Sequence, residues 1–198
     1  MRQRRIVDAA TALFGDQGFG GTSIDQIAAA ADVSPQTVYA TYGSKAAVLS
    51  RAIDVAIVGD YEADRLADRM PVLADVSSEQ HRMDFAAAAH FVRVLHERVA
   101  PLMRVMEQAA ATDPSLEELR LRLVREIRAD TDLWITQLGS ALRPGLTKAH
   151  AADVMVTVQS PYVYSTLTVD LGWSPARYEQ WLADAMPRLL LRQEFLSD

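Results

Sequence analysis

Apolar residues recur at helical spacing from Ile6 to Leu190, and no stretch alternates as a strand would. Pro and Gly residues punctuate the recurring stretches. These two observations predict an all-α protein. A third is more specific. From Thr22 to Lys45 the chain reads TSIDQIAAAADVSPQTVYATYGSK, two short helical patterns split by a four-residue break, the second opening on Ser34-Pro35. That is the sequence form of a helix-turn-helix. The expected architecture is an N-terminal three-helix helix-turn-helix domain over 1–46 and a larger helical domain over 47–198.

The first helix is expected from about Arg2 to Asp16, with Ile6, Ala9, Ala10, Leu13 and Phe14 as its buried face. Gly18 suits a left-handed stop, with Phe19 packing behind it. Thr22 and Asp25 stand three apart, so Thr22 is the expected cap of the second helix with Asp25 reaching back. Ile24, Ile27, Ala28 and Ala31 give that helix one apolar stripe. Asp32 breaks the run and Val33 plugs the turn. Ser34 is a good cap for the third helix, and Pro35 suits its first position. Val38 and Tyr42, four apart, face the same way. Gly43 ends this helix. Ser44 opens a longer one through Leu49, Ile53 and Ile57, loosened at Gly59 and followed by a loop containing Pro71.

The helical pattern resumes from Ser77, with Phe85, Ala88, Phe91, Val92, Leu95 and Val99 on one face. Pro101 marks a break or a new helix carrying Leu102, Met103, Val105 and Met106. Asp113-Pro114-Ser115 restarts a helix to about Leu142, with Leu116, Leu119, Leu123, Ile127, Leu133 and Trp134. Pro144-Gly145 is a turn. Ala151 to Leu171 is long and almost uncharged, with a kink expected at Pro161. It is too apolar all round for a surface helix. Gly172-Trp173-Ser174-Pro175 caps a last helix to about Phe195, with Pro187 inside it. These last two long helices make half of a two-fold four-helix contact, which predicts a homodimer.

The chain has 198 residues, 49% of them hydrophobic, enough for a substantial core. With no cysteine, disulfides and thiolate metal sites are excluded. The start MRQRRIVDAATALF has basic residues but no long apolar stretch, so no signal peptide is expected. No apolar run approaches the roughly 20 residues of a membrane span. A cytoplasmic location is expected. The net charge is −6, but it is unevenly placed. Through Arg51 there are five Lys/Arg and four Asp/Glu; the remainder has fifteen and twenty-two. Arg2, Arg4 and Arg5 lead into the first helix, where basic residues can hold phosphates while an acidic body keeps the protein soluble. The small positive excess predicts modest, salt-sensitive non-specific affinity.

At about 100° per residue, Gln36, Thr37 and Ala40 lie opposite Val38 and Tyr42 in the third helix. Gln can bond adenine bidentately, Thr is adaptable, and an Ala methyl can touch a thymine methyl. Tyr39 and Thr41 fall on the flanks, where hydroxyls bond phosphate oxygens and set the register. Ser34 at the helix mouth belongs to the same expected contact set. Lys45, in the first turn of the next helix, is unfavourable for the helix dipole but suits a phosphate. A dimer would place two such helices about 34–36 Å apart, matching successive major grooves of double-stranded DNA at a palindromic operator.

The Ala-rich Ile6 to Phe14 segment, Gly18-Phe19, Thr22-Ser23-Ile24, Ile27-Ala28, Val33-Ser34, Thr37-Val38-Tyr39, Tyr42, Lys45 and Leu49 together resemble the TetR family of transcriptional regulators. The spacing from Val38-Tyr39 through Tyr42 to Lys45 is the most specific part. Gly172-Trp173-Ser174-Pro175-Ala176-Arg177-Tyr178 resembles the family's C-terminal region less specifically. The resemblance implies a homodimeric, DNA-binding repressor with a helical ligand-binding and dimerisation domain. It places Thr22, Gln36, Thr37, Tyr39, Thr41 and Lys45 at DNA. Gln36 stands where Gly is common, Thr41 where His is common, and Tyr42 replaces Phe, which bears on operator sequence. The resemblance also implies a pocket among the middle helices for a small organic effector. Candidates are Phe85, His90, Phe91, Met103, Met106, Trp134, Gln159 and Tyr162, apolar walls with few polar groups. Met and aromatic residues at this spacing also read as plain core. His90 and Gln159 stand out because a polar group on an apolar face needs a partner.

Other function classes find less support. None of the four histidines stands three after a glutamate, as carboxylate di-iron bundles require. HExxH, GxSxG, P-loop and dinucleotide glycine patterns are lacking, so no enzymatic activity, cofactor or metal is expected. The alternative is an all-helical ligand-binding or scaffold protein without DNA-binding activity.

Overall fold

A computed structural model of the chain describes residues 2–59 and 80–196. Among these the regular elements are helical, apart from one isolated bridge between Leu142 and Leu191. The helices are α1 (Arg2–Gly21), α2 (Ile24–Ala31), α3 (Pro35–Tyr42), α4 (Lys45–Val58), α5 (Gln80–Ala110), α6 (Pro114–Gln137), α7 (Lys148–Val158), α8 (Pro161–Ser165) and α9 (Pro175–Leu190). The expected loop at Pro71 and the restart at Ser77 lie outside the described residues. The described residues divide into two compact units, one of 2–59 with 98–122, the other of 80–97 with 123–196.

The first unit is built on α1 to α4. Ile6, Val7, Ala10 and Phe14 of α1 meet Ile24, Ile27, Ala28 and Ala31 of α2, Val38 of α3, and Val48, Leu49, Ala52 and Ile53 of α4 in one buried core. Val7 joins the buried face that periodicity assigns to Ala9 and Leu13, and those two are half-buried. Helical backbone extends past Asp16 to Gly21 but is interrupted at Gly18, whose φ of 68° and ψ of 178° suit glycine alone. Phe19 then stacks on Phe14, ring centroids 5.9 Å apart. At its other end α4 stops at Gly59 (φ 88°), and Arg98 donates to the Ala56 carbonyl at 3.1 Å. A cation there offsets the negative helix terminus. A side chain at position 59 would meet that guanidinium at 2.9 Å.

In this unit α5 passes through Pro101 unbroken. An internal proline costs a helix about 3 kcal/mol. Val99, Ala100, Leu102 and Met103, all buried, hold the two sides together. Packing here overrides the local signal for a break.

The second unit buries Phe85, Ala89, Val92, Trp134, Ile135, Ala151, Ala152, Met155, Tyr164, Tyr178, Leu182, Met186 and Leu190. The expected kinked helix from Ala151 to Leu171 is instead a break and restart. α7 ends at Gln159, and the Ser160 hydroxyl accepts from the Tyr162 and Val163 amides, so Pro161 begins a new helix. α8 then widens into one π-helical turn at Thr166–Asp170. Ser174 caps α9 with Pro175 first in line, and α9 continues through Pro187 to Leu190. Reciprocal backbone bonds, Arg143 to the Leu190 carbonyl and Arg192 to that of Ala141, tie its end to the segment that follows α6. α6 stops at Gln137 rather than Leu142; Gly139–Ala141 form a single tighter turn.

Candidate nucleic-acid interface

α3 is short and positioned by its neighbours. The Ser34 hydroxyl accepts from the Thr37 amide at 3.2 Å, Pro35 fills the first position, and Gly43 (φ 77°) ends the helix. Val38 is fully buried and anchors the inward face. Tyr42, half-buried, donates to the Gln3 carbonyl at 3.4 Å, and burial raises its pKa. The opposite face carries Gln36, Tyr39, Ala40 and Thr41, all exposed, with Thr37 half-buried beside them. Tyr39 is 54% exposed, unusual for so large an apolar ring. The edge predicted to read bases therefore faces outward.

α2 meets α3 through Asp32, which adopts left-handed backbone (φ 53°, ψ 52°). Asp tolerates that region better than most residues. Its carboxylate accepts from Arg5 at 2.8 Å, pinning the start of α1 to the turn. Arg4 sits 3.7 Å from Asp8. Both pairs are exposed. The cap of α2 is one residue later than the Thr22–Asp25 spacing predicts. Ser23 accepts from the Gln26 amide at 3.1 Å, and Gln26 Oε1 accepts from the Ser23 amide at 2.7 Å. The Ser23-x-x-Gln26 spacing is itself a sequence signal for that box.

Three expected DNA contacts take other roles. Thr22 is 2% exposed, and its hydroxyl lies within hydrogen-bond reach of the carbonyls of Gly18 (2.8 Å) and Leu13 (3.1 Å). A buried hydroxyl needs an acceptor, and this one joins α1 to α2 rather than facing a phosphate. Lys45 donates to the carbonyls of Phe19 (2.6 Å) and Thr22 (2.7 Å), with its ammonium 4.2 Å from the Phe19 ring centroid. Burial lowers its pKa, against the opposing pull of Asp113. It positions the α1–α2 corner with two of its three donors. Thr41 donates to the Thr37 carbonyl at 2.7 Å, so its single hydroxyl hydrogen is committed to its own helix. Ser34 is exposed and caps α3, its oxygen 3.0 Å from that of Thr37. Gln36, Thr37 and Tyr39 remain as the outward polar edge.

The effector candidates divide. Met103 and Met106 are buried in the first unit. The other six belong to the second. Phe85 and Trp134 are buried and pack edge-to-face, centroids 5.6 Å apart. Phe91 and Tyr162 are half-buried. Gln159 donates to Thr131 at 3.2 Å. His90 is corrected: its side chain is 60% exposed, not interior. It lies 3.3 Å from Glu179, which also accepts from Arg93 at 2.5 Å. These three line an open groove of about 650 Å³ with Ala86, Pro175, Ala176, Gln180 and Ala183. The periodicity did not single out His96, buried against Tyr178 (3.3 Å) and Tyr164.

Residues 6–52 match the family model for bacterial regulatory proteins of the tetR family, covering α1 to α3 and the first half of α4. Over this N-terminal domain the chain is similar to bacterial regulatory proteins of the tetR family. NalD of Pseudomonas aeruginosa has the same fold, with a TM-score of 0.71, 20% identity and 97% of each chain covered. SmeT of Stenotrophomonas maltophilia superposes with a TM-score of 0.70 at 17% identity, covering 98% of this chain and 92% of that one. A TetR-family regulator from Mesorhizobium loti gives 0.64 at 21% identity, covering 96% and 97%. No curated protein matches the chain. These likenesses span both units, so the described residues of each share the fold of these solved structures. No described helix is long and apolar enough to cross a membrane.

Proposed function

We propose that this chain is a TetR-family repressor that binds a palindromic operator as a dimer and is released by a small organic effector. In this reading residues 1–46 form the DNA-binding head, and 47–198 carry effector binding and dimerisation. The observation that carries it is the exposed Gln36, Thr37 and Tyr39 edge on a helix anchored by buried Val38. Such an edge offers an amide and hydroxyls at the spacing a major groove reads. The solved structures lend support. NalD is described as the secondary repressor of the MexAB-OprM multidrug efflux pump, and SmeT as the repressor of the SmeDEF pump. SmeT is also known as a complex with triclosan. For dimerisation, Val169 and Leu171 leave apolar surface at the head of α9, 65% and 63% exposed.

A mobility-shift assay on a palindromic fragment from beside the chain's own gene tests the DNA reading. The wild type retards it, and Gln36→Ala relaxes preference at one base position, costing about 1–3 kcal/mol of discrimination. A variant that discriminates as before removes Gln36 from the reading edge. An effector releases DNA only if it favours a state that binds DNA worse, so operator and effector must weaken each other's affinity equally. Calorimetry with and without operator measures both.

A further inference from the structure

We propose that the effector site lies in the second unit and takes an uncharged aromatic hydroxyl compound, a phenol or naphthol, held between the Trp134 indole and the Gln159 amide. This rests on the effector-responsive reading above. Trp134 is 4% exposed, and its Nε1–H has no acceptor among the described residues. A buried donor without an acceptor is rare in folded proteins and points to a partner outside the chain. Thr131 stands one turn earlier on the same face of α6, and helical side chains lean toward the N-terminus.

The same turn fixes the orientation of Gln159. The Thr131 hydroxyl has one hydrogen, donated to the Ile127 carbonyl at 2.8 Å. Toward Gln159 it can only accept, so the Gln159 atom 3.2 Å away is the amide nitrogen. The Gln159 carbonyl oxygen is thereby turned away from Thr131 as an acceptor. Thr131 links the two groups: it precedes Trp134 by one turn of α6 and holds the Gln159 amide, while Phe85 packs against the Trp134 ring. An aromatic hydroxyl matches both: its oxygen accepts from the indole and its hydrogen goes to the amide oxygen. Arg128, one turn before Thr131 on α6, already faces Asp132 and Asp153, so a charged ligand finds no free counter-ion. Among the described residues the buried polar side chains of this unit are Asp84, already engaged, His96, which burial keeps neutral, Thr131 and Ser165.

Calorimetry with four naphthalenes tests this, alongside the indole N–H resonance of Trp134. 2-Naphthol is expected to bind roughly 5- to 10-fold more tightly than 2-methoxynaphthalene, which only accepts, and that compound similarly more tightly than 2-methylnaphthalene. 2-Naphthoate should not bind. Trp134→Phe should abolish the preference for methoxy over methyl while methylnaphthalene binding persists. Gln159→Leu should abolish that for hydroxyl over methoxy. Equal binding of naphthol and methylnaphthalene by the wild type overturns the proposal, as does naphthol binding that leaves the Trp134 resonance unmoved. So does failure of all four to bind. The operator mobility shift separates this from the repressor reading. Naphthol seated at Trp134 without releasing DNA leaves the site standing and removes only the coupling. A chain that binds naphthol but no DNA loses the repressor reading alone.

Discussion

Two of the three hydrogens on the Lys45 ammonium point at carbonyls of its own domain. Lys45→Met keeps the apolar stem beside Phe19 and removes both bonds. We expect a loss of about 1–3 kcal/mol in stability, read by urea unfolding, with the salt dependence of DNA affinity unchanged. A salt slope lowered by about one unit would instead identify a phosphate contact. His96 is held neutral by its burial. Burial pushes its pKa down from 6.5 to about 3. The unfolded chain then takes up a proton that the folded chain refuses. The stability associated with neutral His96 is complete above pH 6.5 and falls as the pH drops toward 3, by up to about 1.4 kcal/mol per pH unit. Unfolding at pH 7 and pH 5 should show a steeper loss in the wild type than in His96→Gln. Superimposable pH profiles would mean that the folded chain protonates this imidazole as readily as the unfolded chain does.

Gly18 separates the body of α1 from the corner that Thr22 and Lys45 fasten. A methyl group added at this position would meet nothing within 4 Å, so the demand is on the backbone alone. Gly18→Ala should cost about 1–3 kcal/mol without a steric clash, and a melting temperature equal to the wild type's would show that the bend relaxes freely. The helices with clear capping chemistry were legible from the residues: Ser34-Pro35, Ser44 and Ser174-Pro175 all begin helices where their side chains predict. Pro101 and Pro161 show why the remainder was not. Both carry the same local signal, yet buried neighbours hold α5 together while the Ser160 hydroxyl lets the chain restart. The site was legible to a similar depth. Helical periodicity marks the outward edge of α3. It does not say whether a polar side chain will meet solvent or a nearby carbonyl, which is why the carbonyl partners of Thr22, Thr41 and Lys45 went unannounced.

At the scale of the molecule, the expected pair of long C-terminal helices reduces to one long helix preceded by short pieces, with Val169 and Leu171 exposed between them. If α8 and α9 form the contact between copies, Val169→Asp with Leu171→Asp should convert a dimer into a monomer in analytical ultracentrifugation. It should also weaken operator affinity while leaving each head folded. A double variant that stays dimeric places the contact elsewhere. Dimerisation would offset the weak electrostatics of a single head, whose four cations are matched by four anions over 1–46. The Arg5–Asp32 bridge bears on those electrostatics too. A guanidinium that keeps its carboxylate on docking displaces no sodium or potassium from the duplex. A complex held this way loosens less when the medium grows more concentrated, so osmotic stress alone is a poor trigger for its release.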